Sequence, residues 1–341
     1  MATRANVSVV AALCGLLLVL LAATEAEASR HRRLVPAVFV LGDSTVDVGN
    51  NNRLNITAAG RANYPHYGVD FPGSSVPTGR FSNGRPAGSG PWLQPQPTGV
   101  PLPRDGEGRQ VSHVQRHQLR VRRVRPLGRH RPSPVWRGAN KTASLLRNSI
   151  FVVSVGSNDM FEYSASRGDD YAFLTGLALY EMGARKLSVI SVPPLGCLPS
   201  QRLRRLQQLG TQGCFDPLND LSLRSYPMLA AMLEELAREL PGMAYSLADA
   251  YAMVAFVLEN PRTQAWSFTE LEAACCGAGP FGAAYPCNQT APVCGDRDGH
   301  LFWDANHPTQ AVSLIAAQTI FAGNGTFVNP INVRDLALLV L

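Results

Sequence analysis

Short apolar runs, separated by helix-like or turn-rich segments, constrain the fold of this chain most strongly. Residues 38–41, 149–155 and 186–192 are mostly β-branched and other apolar residues, and each run has the length of a buried strand. Residues 244–248 form a shorter run of the same kind. Apolar periodicity predicts helices at residues 171–183, 218–240, 252–258 and 308–322. Apolar strands that alternate with helices predict an α/β fold whose mainly parallel sheet is covered on both faces.

Three residues refine the predicted helices. Gly183 predicts the end of the first helix, because glycine readily adopts the left-handed conformation that terminates helices. Pro227 lies inside residues 218–240, where it removes a backbone donor, and it therefore predicts a kink or a split. Pro308 suits the first turn of the last helix.

The N-terminus has the features of a secretory signal peptide. Arg4 precedes a mostly apolar run over residues 9–23, and Ala26 and Ala28 supply small residues for cleavage. We predict that residues 1–28 are removed and that the protein is secreted; an uncleaved signal anchor is the alternative. No later stretch is long and apolar enough to span a bilayer, so none is predicted to do so after cleavage.

Six cysteines remain beyond the predicted signal peptide, and an even number in a secreted protein predicts disulfides. They are Cys197, Cys214, Cys275, Cys276, Cys287 and Cys294. A zinc site is the alternative, although the chain contains no Cys-x-x-Cys pair. Proximity favours a bridge between the first two, and bridges from each of the adjacent pair to one of the last two. Candidate glycosylation sequons begin at Asn55, Asn140, Asn288 and Asn324.

Residues 86–138 differ in composition from the rest of the chain. They are rich in Pro, Gly and Arg, and they contain no Ile, Phe, Tyr or Cys. Eleven arginines lie between Arg85 and Arg137 against two acidic residues, whereas the whole chain has a net charge of +6, so the remainder is mildly acidic. Such a stretch cannot bury enough apolar surface to offset its ordering entropy, and we predict an irregular or disordered segment. A nucleic-acid-binding arm is the alternative, which secretion argues against.

Three places in the sequence could carry hydrolytic chemistry. Ser44 follows the first predicted strand, at the edge where α/β sheets place ligand sites, and it becomes a nucleophile if a base reaches it. Asp304 and His307 are close enough in sequence for the carboxylate to orient the imidazole as that base. Asn158 follows the second strand, and its amide could donate to an oxyanion. Turn and helix-cap roles remain the structural alternatives for all of them.

These features occur in the order of a known family. The motifs are Val38-Phe39-Val40-Leu41-Gly42-Asp43-Ser44, Thr78-Gly79-Arg80-Phe81-Ser82-Asn83-Gly84-Arg85, Val155-Gly156-Ser157-Asn158-Asp159, Pro193-Pro194-Leu195-Gly196-Cys197, Cys275-Cys276-Gly277 and Trp303-Asp304-Ala305-Asn306-His307-Pro308. Together they resemble the plant secreted branch of the GDSL esterase/lipase family of SGNH hydrolases. The resemblance covers most of the mature chain outside residues 86–138.

The resemblance implies a three-layer α/β/α sandwich with a mainly parallel sheet, formed by one hydrolase domain over residues 34–330 and interrupted by the irregular stretch. It implies that Ser44 is the nucleophile and, through its backbone N–H, an oxyanion donor beside Asn158. His307 would be the general base, oriented by Asp304. The implied reaction is hydrolysis of a small-molecule or lipid ester through an acyl-enzyme, which needs no metal or organic cofactor. No nucleic-acid partner is expected, because a secreted protein seldom meets nucleic acid.

One block of the family pattern is missing. Members carry an Asn-Phe-Ala-Ser-Gly-Gly-like run that supplies a glycine N–H to the oxyanion hole, and here that interval is the arginine-rich residues 86–138. We hypothesise that this stretch arose from a shifted reading frame or an incorrectly assigned splice. Two alternatives to a working esterase follow: a catalytically impaired binding protein on the same fold, and a polyanion-binding protein that acts through residues 116–131.

Overall fold

The computed structural model describes residues 34–57, 60–74, 76–86, 139–163 and 179–341. The predicted signal peptide, nearly all of residues 86–138 and the first part of the helix predicted at residues 171–183 lie outside these ranges. The strands are β1 (Val38–Gly42), β2 (Ile150–Ser154), β3 (Lys186–Ile190), β4 (Ala244–Ala248), β5 (Glu270–Ala274), β6 (His300–Phe302) and β7 (Val328–Asn329). The α-helices are α1 (Ala139–Asn148), α2 (Ser157–Tyr163), α3 (Pro199–Leu209), α4 (Asp216–Glu239), α5 (Ala250–Glu259), α6 (Gln310–Ala322) and α7 (Val333–Leu338).

A five-stranded sheet with the order β1-β2-β3-β4-β7 forms the centre of the described chain. Strands β1 to β4 are parallel, and the short β7 runs antiparallel to β4. The register aligns Gly42, Ser154, Ile190 and Ala248 at one edge. The loops that follow these residues therefore meet at the carboxyl edge of the sheet, where α/β folds place their ligand sites. The predicted mainly parallel α/β sheet is confirmed.

Both faces of the central strands are covered. On β2, Phe151 and Val153 pack in one cluster with Leu233 of α4. Their neighbours Ile150 and Val152 point to the opposite face, because side chains alternate along a strand, and they are also buried. The sheet is thus sandwiched between two layers, as an α/β/α architecture requires.

Strand β1 departs from the expectation of a fully buried strand. Phe39 and Val40 are each 37% exposed, so the prediction was wrong for these two residues. The physical reason is position: β1 lies at the end of the sheet, and β2 is its one strand neighbour in the part of the chain described. On the side of β2, the ring of Phe39 stacks on Phe151 at a centroid distance of 4.8 Å.

The helix-end signals at Gly183 and Pro308 have different outcomes. Gly183 adopts φ 109° and donates its N–H to the carbonyl of Tyr180, which is the left-handed stop that was predicted. Helix α6 begins at Gln310 rather than at Pro308, because Thr309 is its N-cap and accepts the N–H of Val312 on its hydroxyl.

Pro227 does not split its helix. Helix α4 runs unbroken from Asp216 to Glu239 with the proline inside it. Pro227 and Leu223, whose carbonyl loses its helical partner, both lie on the exposed face. Water can satisfy that carbonyl, so the helix continues past the proline.

The six cysteines form three disulfides, Cys197–Cys214, Cys275–Cys294 and Cys276–Cys287. The pairing predicted from proximity is confirmed, and the zinc alternative is wrong because every thiol is used in a bridge. The two bridges from the adjacent cysteines close a loop next to the small parallel pair of β5 and β6. In the described ranges of the chain, no helix combines the length and apolarity needed to cross a membrane.

Candidate active site

Ser44 lies two residues beyond Gly42, the last residue of β1. At Gly42 the chain passes so close to the neighbouring strand that a Cβ there would collide with the backbone of Ser154. Asp43 shapes the turn: its N–H donates to the Ser154 carbonyl at 3.2 Å, and its carboxylate accepts the N–H of Thr45 at 2.9 Å. The local sequence thus turns the chain sharply and leaves Ser44 at the carboxyl edge of the sheet.

Asp304 and His307 form a tight turn immediately after β6. Asp304 Oδ1 accepts the backbone N–H groups of Asn306 at 2.8 Å and His307 at 2.9 Å. His307 Nδ1 lies 2.8 Å from Oδ1 and 2.9 Å from Oδ2 of the same carboxylate. The Asp304 carboxylate therefore holds both the backbone and the ring of His307, while Thr309 supplies the helix cap that was the alternative role of the pair.

The other nitrogen of the imidazole reaches the serine. His307 Nε2 lies 2.7 Å from Ser44 Oγ, although the two residues are 263 positions apart in the chain. Because Nδ1 donates to Asp304, Nε2 carries the lone pair that accepts the serine proton. Ser44, His307 and Asp304 are thus connected in the arrangement that a nucleophile, a base and an orienting carboxylate require.

Burial and charge act in opposite directions on this pair. Burial disfavours the imidazolium, but the charge and hydrogen bond of Asp304, with a smaller contribution from Asp43, outweigh it and raise the pKa of His307. Burial also opposes the charge of Asp304, yet the interactions with His307, the Asn306 N–H and a tyrosine hydroxyl lower its pKa. The carboxylate is therefore ionised at neutral pH, and the imidazole is a stronger base than a free histidine.

Asn158 lies at the same sheet edge as the serine, on the first turn of α2. The aligned residues Gly42 and Ser154 end adjacent strands, and Ser44 and Asn158 follow these ends. Asn158 is exposed, and no hydrogen bond of its side chain occurs in the described part of the chain. The amide is therefore available to a ligand, and the Asx turn that was its structural alternative is absent from the described segment around it.

Two aromatic residues complete the surroundings of the triad, and the sequence reasoning did not single them out. The hydroxyl of Tyr67 donates to Asp304 Oδ2 at 2.8 Å. The ring of Phe81 lies against the imidazole of His307, with centroids 4.8 Å apart. Both residues stand in loops, and nothing in a loop sequence indicates which distant residue the loop will contact.

A network of hydrogen bonds connects the loop at residues 78–85 to the start of α6. Asn83 accepts the N–H of Gln310 at 2.8 Å and donates to Asp70 Oδ2 at 2.8 Å. Asp70 also receives a two-point ion pair from Arg297, at 2.7 and 2.8 Å. These bonds connect the loop that contains Phe81 to the segments before and after His307.

Exposure is described for three of the four sequon asparagines. Asn55, Asn288 and Asn324 are exposed. The side chain of Asn140 lies outside the described residues. Glycosylation at these sites stays a prediction.

Comparisons with known proteins agree with this architecture. The sequence model of the GDSL-like lipase/acylhydrolase family matches residues 38–320. GDSL esterase/lipase 7 of Arabidopsis thaliana is 31% identical, over 96% of this chain and 99% of its own length. GDSL esterase/lipase EXL2 of the same plant is 33% identical, over 90% and 94% respectively. With matches of this extent, the chain belongs to the GDSL lipase/acylhydrolase family, a family of carboxylic ester hydrolases.

Proposed function

We propose that this protein hydrolyses carboxylic esters through an acyl-enzyme formed on Ser44. The observation that carries the proposal is the 2.7 Å contact between Ser44 Oγ and His307 Nε2, with the opposite ring nitrogen held by Asp304. A serine hydroxyl is a weak nucleophile until a base removes its proton, and this arrangement supplies that base.

During acylation, Nε2 of His307 accepts a proton and then returns it, while Nδ1 stays bonded to Asp304. His307 takes the proton from Ser44 as Oγ attacks the ester carbonyl, and Asp304 stabilises the imidazolium that forms. The tetrahedral intermediate carries its charge on the former carbonyl oxygen. When it collapses, the bond to the alcohol breaks and His307 returns the proton to that alcohol. The acyl group then remains on Ser44.

Deacylation repeats these steps with water. His307 removes a proton from a water molecule that attacks the acyl carbonyl, and the proton passes to Ser44 Oγ as the acid departs. The backbone N–H of Ser44 and the amide of Asn158 are the proposed oxyanion donors. The exposed position of Asn158, at the same sheet edge as Ser44, supports this role. The interval that holds the family's oxyanion glycine lies outside the described residues.

Secretion is part of the same proposal. Disulfides persist in oxidising compartments, and the three in this chain agree with the signal-like residues 1–28. Neither the geometry of the triad nor the relatives favour the alternative of a catalytically impaired binding protein. The polyanion-binding alternative rests on residues 116–131, which lie outside the described ranges.

Replacing Ser44 by alanine tests the proposal. We expect Ser44→Ala to lower the turnover of p-nitrophenyl butanoate by about 10⁴-fold or more, because the nucleophile is lost. A fluorophosphonate probe should label the unchanged protein at Ser44 and leave the variant unlabelled. Ser144→Ala removes an exposed serine of α1 and is the matched control. Unchanged turnover in Ser44→Ala would refute the acyl-enzyme at this residue.

A further inference from the structure

The Asp304 carboxylate has a hydrogen-bond donor that the proposed mechanism does not use. The hydroxyl of Tyr67 lies 2.8 Å from Asp304 Oδ2, and this contact is buried, with Tyr67 7% exposed. A buried phenol aimed at the orienting carboxylate of a triad is in a position to act on the base beyond it. Tyr67 itself has no contact with Ser44 among the hydrogen bonds of the described residues.

We infer that Tyr67 is a positioning residue, which fixes the orientation of the Asp304 carboxylate and limits how strongly that carboxylate attracts the proton of His307. The inference rests on the proposed function, because it concerns the base that activates Ser44. It assigns a role in the reaction to a residue outside the Ser44–His307–Asp304 triad.

The distribution of donors around Asp304 supports this role. Oδ1 accepts three donors, namely the N–H groups of Asn306 and His307 and the imidazole Nδ1. Oδ2 accepts Tyr67 and shares the imidazole Nδ1. Without the phenol, Oδ2 would have the imidazole as its one partner among the described residues, and the carboxylate would be less constrained.

The backbone around Tyr67 is shaped to present its side chain. His66 adopts φ 85° and Gly68 φ 78°, so a left-handed residue stands on each side of the tyrosine. A left-handed conformation is unfavourable at a residue other than glycine, and it persists where the surroundings enforce it. The Tyr67 ring is enclosed edge-on by Phe81 and Trp303, at centroid distances of 6.0 and 6.5 Å.

The charges around His307 predict the direction in which its pKa changes when the Tyr67 hydroxyl is removed. A hydroxyl that donates to Asp304 withdraws negative charge from the carboxylate, and this weakens its stabilisation of the His307 imidazolium. Burial and the neighbouring Asp304 raise the pKa of the Tyr67 phenol above its usual range, so it stays a neutral donor at all working pH values. Removing the hydroxyl should therefore keep His307 protonated up to a higher pH.

Tyr67→Phe is the direct test, read as the rate at which a fluorophosphonate labels Ser44 across pH. Labelling needs the base but does not depend on the preferred acyl group. We expect the acid-side midpoint to rise by about 0.5 pH unit and the maximal rate to fall about 3–10-fold, since a hydrogen bond to a charged group is lost. The control is Tyr180→Phe, which removes an exposed hydroxyl bond to the Pro241 carbonyl.

A second variant keeps the shape of the side chain. Site-specific 3-fluorotyrosine at position 67 is a stronger donor, and it should move the midpoint below that of the unchanged protein. In the Asp304→Asn background, Tyr67→Phe should have no further effect on the midpoint, because it acts through the carboxylate. A purely structural role predicts none of these opposite shifts.

The outcomes separate the inference from the proposed function. If Ser44→Ala abolishes labelling while both Tyr67 substitutions leave the midpoint where Tyr180→Phe leaves it, the role of Tyr67 is overturned and the acyl-enzyme stands. If Ser44→Ala is still labelled and active, the acyl-enzyme on Ser44 falls, and the role of Tyr67 with it. Should Tyr67→Phe fail to fold, the midpoint with 3-fluorotyrosine decides alone.

Discussion

At the scale of single residues, His307 joins two distant parts of the chain by using each ring nitrogen for a different partner. Nδ1 is held by Asp304, three residues earlier, and Nε2 lies 2.7 Å from Oγ of Ser44, which is 263 positions earlier in the chain. Phe81 covers one face of the ring. In the proposed mechanism, an imidazole held in this way is already within hydrogen-bond reach of the proton that it accepts.

The raised pKa of His307 predicts a specific pH dependence. The base must be neutral, so kcat/KM should fall as pH falls through the pKa of His307, with a midpoint above the ordinary value of about 6.5. Ester hydrolysis measured from pH 5 to 9 checks this. A midpoint below 6.5 would show that burial, not Asp304, controls the imidazole.

The free energy of unfolding should also depend on the protonation of His307, but in the opposite direction from kcat/KM. Because the folded-state pKa of His307 is raised, its pairing with Asp304 stabilises the fold fully below the unfolded-state pKa. That contribution is lost as pH rises through the folded-state pKa. The site is therefore most active in the pH range where this pair stabilises the fold least.

At the scale of elements, the site is built from the segments that follow β1, β2 and β6, and the opposite edge of the sheet anchors the C-terminal helix. Lys186, the first residue of β3, is 2% exposed. Its Nζ donates to the carbonyls of Ala337 and Leu339 at 2.8 Å each, at the end of α7. A buried ammonium thus satisfies carbonyls that the helix itself leaves without partners.

Lys186→Met should loosen this helix without reaching the site. We expect the free energy of unfolding to fall by about 2–4 kcal/mol, because two carbonyls lose a charged donor. Hydrogen exchange should accelerate over residues 333–338, while kcat changes less than about twofold. Arg334→Met, at an exposed position of α7, is the control. Equal exchange rates in the two variants would contradict the anchoring role.

At the scale of the whole molecule, the disulfides and the predicted signal peptide can be tested together on the secreted protein. The mature protein recovered from culture medium should begin at Ser29, and its six remaining cysteines should resist alkylation until a reductant is added. Reduction should lower the urea midpoint markedly, since each disulfide contributes about 2–4 kcal/mol. Intact-mass analysis and urea unfolding with and without reductant check this. A free-thiol protein with an unchanged midpoint would contradict it.

Much of the architecture could be predicted because its signals are local. The runs at residues 150–154 and 186–190 are apolar enough to indicate strands without knowledge of their neighbours, and Gly183 marks a helix end by its own conformational freedom. The exposure of Phe39 and Val40 could not be predicted, because it depends on which strand takes the edge of the sheet. The pair of β5 and β6 also escaped prediction, since its strands are short and lie within turn-rich sequence.

For the site, the sequence was enough to propose which residues carry the chemistry: Ser44 after a strand, and Asp304 three residues before His307. Those assignments depend on residue type and short spacing, which the chain contains directly. That Nε2 of His307 lies next to Ser44 Oγ and that Tyr67 donates to Asp304 became visible only in the folded chain. Contacts between residues more than 200 positions apart follow from how the sheet orders its strands and how loops pack on one another, and no local pattern encodes that order.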